Sequence, residues 1–386
     1  MSQTQRRSVP STAIVAVERD RYVDALRAGS LFVVVLWHWV FSVFVWTSHG
    51  PSMNNPIGTT HGMWFLTWFL QVMPVFFFVG GFVNSLTWAR ASDSGVRYAW
   101  FVGRRLRRLL EPAALVLGVG LALRFVLELV MPDAQWVGKA IIVLLSPLWF
   151  LIVYVALVAL TPVMTWLHRR FTPVDLVLLV GLVAAVDLLR FRFDVGWIAW
   201  ANFALVWIFV HQLGFDYRKL ITLDGRTQAA IALGGFFLLA LLTNFGVYPR
   251  SMVGVPQESI SNMGPPTACI AALAVFQTGL VLLLRPVGTR LLERPRVSHA
   301  VDWLAANSMT LFLWHTWGFA LALGVLVSAG VPIPGTTDGW WWAERPIYLL
   351  LPALCTVPFW WFFRRFDRGL PSLASLLHLL QPPGHD

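Results

Sequence analysis

Ten apolar stretches recur along the chain, near residues 28–46, 63–88, 112–131, 140–166, 174–190, 197–213, 229–248, 268–285, 303–328 and 346–363. Each is long enough to cross a hydrocarbon core of about 30 Å as a helix. The pattern predicts an all-α, polytopic membrane protein of about ten transmembrane helices. The fourth stretch holds Pro147 and Pro162, so a broken or tilted helix is expected there. Residues 1–20 read as a flexible N-terminal tail, 21–368 as one membrane domain and 369–386 as a C-terminal tail. The apolar run after Arg27 has no small-residue cleavage site and reads as a retained first span. No large soluble domain and no internal repeat is visible. The longest connections, 47–62 and 249–267, are rich in Gly, Pro, Asn and Ser. They read as shaped loops over a cavity more than as flexible linkers.

Composition supports the bilayer reading. Of 386 residues 57% are hydrophobic and 12% charged, against about 25% charged in an ordinary soluble domain. Mean hydropathy is +0.67, and many of the 21 tryptophans fall near segment ends, where amphipathic rings favour the headgroup region. The net charge of +10 does not indicate a nucleic-acid partner, because the basic residues form short clusters between apolar runs. Those clusters alternate. Arg6, Arg7, Arg19 and Arg21, then Arg90 to Arg108, Arg169 and Arg170, Arg218 to Arg226, Arg285 to Arg296 and Arg364 to Arg368 fall on one side. Only Lys139, Arg190, Arg192, Arg250 and Arg345 fall on the other. The positive-inside rule makes the rich side cytoplasmic and places both termini there. Cys269 and Cys355 lie within apolar runs and read as small buried hydrophobes.

A few polar residues inside these runs carry candidate chemistry. Arg27 and His38 are eleven apart; at about 100° and 1.5 Å per residue they share one helix face, His38 about 16 Å deeper. An ionisable group at that depth is expensive and points to function; the plain alternative is a neutral imidazole bonded to another helix. Arg104, Arg105, Arg107 and Arg108 crowd the entry to the third span, where Arg104 points with Arg107 or Arg108. They suit a multidentate phosphate site or a simple positive-inside anchor. In the ninth span Ser308 and His315, seven apart, form a second polar stripe, either functional or interhelical glue. His211 reads as a boundary residue, and Arg124 with Glu128 as a self-neutralising pair. No metal cluster and no Ser-His-Asp order is apparent.

Taken in order, these residues resemble the acyltransferase-3 family of bacterial integral-membrane O-acyltransferases, from about residue 20 to 365. The strongest elements are Asp24-x-Leu followed by Arg27-x10-His38, and the Arg-x-x-Arg of Arg104 and Arg107. Pro74 to Phe82, Leu148-Trp149-Phe150-Leu151 with Tyr154, and Ser308 with His315 add to it. The family usually has Ser where this chain has Gly80, and some members carry an extracytoplasmic domain of which nothing is visible here. The resemblance implies transfer of an acyl group, acetyl foremost, from cytoplasmic acyl-CoA to a hydroxyl of a carbohydrate, lipid-linked glycan or similar envelope acceptor. It implies a multi-pass protein of the bacterial cytoplasmic membrane, with no bound cofactor and acyl-CoA as donor substrate. Donor phosphates would be held by Arg27, Arg104, Arg107 and Arg108, with Asp24, Trp149, Ser308 and His315 in support. His38 would be the catalytic group, as base or as covalent acyl carrier. Membrane lipids are the remaining contacts, and an extracytoplasmic partner protein is a possible addition. The competing class is a transporter or flippase that uses the buried histidines as proton or substrate sites.

Overall fold

The computed structural model describes residues 20–47, 50–255, 258–333 and 335–366. The two expected tails, Asp20 apart, lie outside the described residues, and so does the placement of the termini. Helix makes up 79% of the described residues. Eleven helices carry the architecture: α1 (Arg21–Phe41), α2 (Met73–Asp93), α3 (Tyr98–Val130), α4 (Val137–Leu145), α5 (Leu148–Phe171), α6 (Val174–Arg192), α7 (Ala201–Leu213), α8 (Gly225–Phe245), α9 (Ala268–Leu292), α10 (Pro295–Ser328) and α11 (Arg345–Phe363). Short helical turns extend several of them.

Among the described residues nine helical segments are long and apolar enough to cross a bilayer. The tenth expected span is α6, which has 19 residues but carries Asp175, Asp187 and Arg190. Its carboxylates are committed within the bundle. Asp175 accepts from His168 of α5 at 2.6 Å, and Asp187 accepts from Asn202, Tyr248 and the Ala268 amide at 2.7–2.9 Å. Hydrogen-bonded in this way, buried carboxylates are tolerated at helix ends. The same bonds tie the ends of α5 and α6 together on one face and those of α6 and α9 on the other, as alternating crossings require.

The structure departs from the apolar pattern in two places, and it breaks the fourth run as expected. The first span ends at Phe41 rather than near 46, and Val43–Thr47 pairs antiparallel with Gly50–Asn54 as a hairpin, β1 and β2. Its Val-Phe-Val-Trp-Thr run is β-branched and aromatic, which favours a pleated strand. Helix α1 starts where Asp20 accepts from the amides of Tyr22 and Val23 at 3.0 and 3.3 Å, an N-cap. At its other end Arg345, held between the Trp341 and Tyr348 rings, donates to the Val40 carbonyl at 3.3 Å. Pro147 splits the fourth run into α4 and α5, whereas Pro162 stays inside α5. Helix α3 begins at Tyr98 and runs 33 residues, so the arginine cluster is helical. At about 1.5 Å per residue it is about 50 Å long and overshoots the hydrocarbon core.

Two devices bring helices close enough to shape a site. A Cβ on Gly81 of α2 would fall 1.8 Å from the His211 carbonyl, and one on Gly214 would fall 1.9 Å from that of Phe78. Only glycines let these backbones touch. The second span is also broken at Gln71–Val72, between the short turn Thr67–Leu70 and α2. Buried Gln277 of α9 donates to the carbonyls of Trp68 and Gln71, freed by the break, at 3.0 and 2.9 Å. A neighbouring helix thus restores what the break removed.

Candidate active site

The broken second span, α1, α4, α5, α10 and the hairpin enclose a cavity of about 420 Å³. His38 lies in its wall with Trp37, Trp149, Phe150, Gln71 and Thr316, and Asn54 and Asn55 of the hairpin region contribute amides. Among the described residues no Asp, Glu, Lys or Arg lines it. Its chemistry is that of aromatic faces, neutral hydrogen-bonding groups and one imidazole. Such a concave, largely apolar site with a few convergent polar groups suits a small uncharged moiety.

His38 is not alone there. Its Nδ1 lies 2.8 Å from Nε2 of His315, and the rings are within 12° of coplanar with centroids 5.0 Å apart. That separation at that contact is an edge-to-edge bond, not a face-to-face stack. Wholly buried His315 has Nδ1 2.6 Å from the Phe312 carbonyl. The Trp39 indole donates to the His315 carbonyl at 3.0 Å, and Thr316 donates to Leu144 at 2.8 Å, fixing α10 against α1 and α4.

The arginine-rich face lies at the other end of α1. Here Arg105 turns inward. It donates to buried Asn84 of α2 at 2.5 Å, packs over Phe101 at 4.9 Å, and is within electrostatic reach of Tyr154, Arg108 and Arg27. Since Asn84 accepts from Arg105 through its oxygen, its Nδ2 donates to His211 Nε2 at 3.1 Å. His211 is therefore a buried anchor for this assembly. Between this face and the cavity stand Phe76, Phe150 and Tyr154, with ring centroids 4.8–6.3 Å apart. Gly80 leaves room for this partition, because a Cβ there would lie 3.0 Å from the Tyr154 ring.

The sequence-derived candidates divide accordingly. His38 and Trp149 line the cavity, and His315 backs His38. Ser308 donates to its own helix at Ala305, 3.2 Å away, and lines no part of the cavity. Arg27 sits 3.8 Å from Asp24, near Arg105 and away from the cavity. Arg104 lies exposed over the Trp100 ring at 5.3 Å, exposed Arg107 pairs with Glu111, and Arg108 is exposed near Arg105. Arg124 and Glu128 do pair, at 2.8 Å.

Sequence reasoning counted Arg105 only as one of four clustered arginines and passed over Asn84, Gln71 and Thr316. A signal for Arg105 existed: Phe101, Arg105, Pro112 and Val116 recur at spacings of four, seven and four, and the apolar three are buried. Among the described residues no three His, Cys, Asp or Glu side chains gather as a metal site.

A partly exposed imidazole beside a neutral cavity, backed by a second histidine and separated by aromatic rings from a cationic face, can exchange a proton or a group with a substrate in the cavity. A family profile described as an acyltransferase domain, that of acyltransferase-3, matches residues 20–365. No match was found among curated proteins or among solved structures. The profile spans nearly the whole chain and takes in both histidines, the inward arginine and every described helix. This chain belongs to the acyltransferase-3 family and is a multi-pass membrane acyltransferase, acting on groups other than aminoacyl.

Proposed function

We propose that the protein takes an acyl group from acyl-CoA at the cytoplasmic face of a bacterial inner membrane. It delivers the group to a hydroxyl of a carbohydrate or lipid-linked envelope acceptor seated in the cavity. The observation that carries this reading is the position of His38, in the wall of an uncharged cavity while the arginines crowd the opposite face. Lys/Arg placement makes that face the inner one. The cationic groups of Arg27, Arg105 and Arg108 suit the phosphates of the donor nucleotide. The thioester arm is narrow and uncharged, and it would have to pass Tyr154 and Phe150 to reach His38. The neutral amides and tryptophans of the cavity suit a sugar, with its apolar C–H faces and hydroxyl rim.

Chemistry at His38 follows two balanced routes. As base, it takes the acceptor hydroxyl proton while the oxygen attacks the thioester carbonyl; the C–S bond then breaks and the thiolate recovers that proton. As nucleophile, its bare nitrogen attacks the thioester carbonyl and expels the CoA thiolate; the acceptor hydroxyl then attacks the acyl-imidazole carbonyl, the C–N bond breaks to free His38, and the acceptor proton passes to the thiolate. Both need an unprotonated ring nitrogen facing the cavity. Mass spectrometry of envelope glycans and lipids from strains with and without the gene tests the proposal. The reading expects one species to lose the mass of one acyl group in the deletion strain. Identical spectra would refute it.

A further inference from the structure

The pairing of His38 with His315 fixes where the protons sit. The Phe312 carbonyl can only accept, so the His315 Nδ1 that lies 2.6 Å from it carries hydrogen. A neutral imidazole has one N–H, leaving His315 Nε2 a lone pair. That lone pair faces His38 Nδ1 at 2.8 Å, so His38 Nδ1 must be the donor. His38 Nε2 is then bare, and among the described residues no group bonds it. Both rings are taken as neutral because no carboxylate lines the cavity and His315 is wholly buried.

We propose that His315 is a positioning residue for acyl transfer: anchored on the Phe312 carbonyl, it holds His38 in the Nδ1–H tautomer and presents Nε2 to the acceptor. This rests on the reading of His38 as the reacting group. When Nε2 takes the acceptor proton, the positive ring keeps donating through Nδ1 to His315, and that bond strengthens because it is now charge-assisted. His315 neither gains nor loses a proton. The hydrogen passes from acceptor oxygen to Nε2 and on to the departing sulfur. On the acyl-imidazole route the same bare Nε2 attacks the carbonyl. A backbone carbonyl thereby does, through a second histidine, the orienting work that a carboxylate does in other catalytic pairs.

The test has two arms. Nuclear magnetic resonance of the full chain in lipid, labelled with ¹⁵N-histidine and assigned by comparison with His38→Asn, reads which His38 nitrogen bears hydrogen. The proposal requires hydrogen on Nδ1 and none on Nε2; hydrogen on Nε2 overturns it. This arm does not depend on activity, so it stands even if the acyltransfer reading fails. The second arm follows radiolabelled acetyl-CoA transferred to endogenous acceptor in membrane vesicles. His315→Leu should lower kcat about a hundredfold, between the effects of lost outer-sphere partners and lost tautomer control. KM for acetyl-CoA should stay within about threefold, because His315 touches no donor site. His315→Gln, whose amide oxygen can take the Nε2 position, should recover at least about tenfold of that loss. A parental kcat in His315→Leu, or no recovery in His315→Gln, overturns the positioning role. Transfer absent from the parent protein itself counts against the proposed function and leaves the spectroscopic arm to decide the tautomer.

Discussion

Replacing Arg105 by Lys keeps its charge and removes its planar fork. The guanidinium is preorganised by Asn84 at 2.5 Å and by the Phe101 face at 4.9 Å, so little ordering remains when a donor phosphate binds. One lost charge-assisted contact is worth about 1.5–3 kcal/mol. At about 1.4 kcal/mol per decade that is about a 10- to 150-fold weaker donor Kd. The ammonium retains part of the Coulomb attraction, so the lower end of that range is expected. Arg104 and Arg107 are exposed, over Trp100 and against Glu111 respectively. Their replacement by Lys should cost no more than about 1 kcal/mol, or about fivefold. Titration of acetyl-CoA into the purified proteins reads the difference, and acetyl-pantetheine, which has no nucleotide phosphates, is the control. Arg105→Lys should leave acetyl-pantetheine affinity unchanged. If the Arg104→Lys, Arg107→Lys double variant weakens acetyl-CoA more than Arg105→Lys does, the inward arginine is not the phosphate ligand.

Gln277→Leu strips the donor from the Trp68 and Gln71 carbonyls and should destabilise the fold by about 1–3 kcal/mol, seen as a lower Tm in detergent; an unchanged Tm would mean that the break is satisfied in another way. Gly81→Ala puts a Cβ 1.8 Å from the His211 carbonyl and should cost about 3 kcal/mol or more, read as loss of monodisperse protein on size exclusion. Gly103→Ala, with nothing within 4 Å of its Cβ, should be neutral or stabilising by up to about 1 kcal/mol. Cysteines introduced at 97 and 290 should react only from the cytoplasm and those at 55 and 258 only from outside; external labelling at 290 would reverse the assigned orientation.

Much of the frame was legible because lipid imposes length and polarity on every span. Asp24, Arg27 and His38 stand in one helix whose period the sequence shows. What lay hidden depends on partners far along the chain. His38 meets His315 across 277 residues, and periodicity within α10 ranks Ser308 and His315 alike, although only His315 faces α1. The run Arg-Arg-Leu-Arg-Arg contains two overlapping Arg-x-x-Arg registers, 104/107 and 105/108, and burial alone separates them. The end of α1 at Phe41 was missed because an apolar β-branched run reads equally as membrane helix.

The central claim is that His38 performs the transfer, and a vesicle assay with radiolabelled acetyl-CoA and endogenous acceptor tests it most directly. His38→Ala, matched to the parent for folded protein in the membrane, should lose turnover by at least about a hundredfold, with acetyl-CoA still binding at the arginine face. Turnover near the parental rate in that variant would contradict the account.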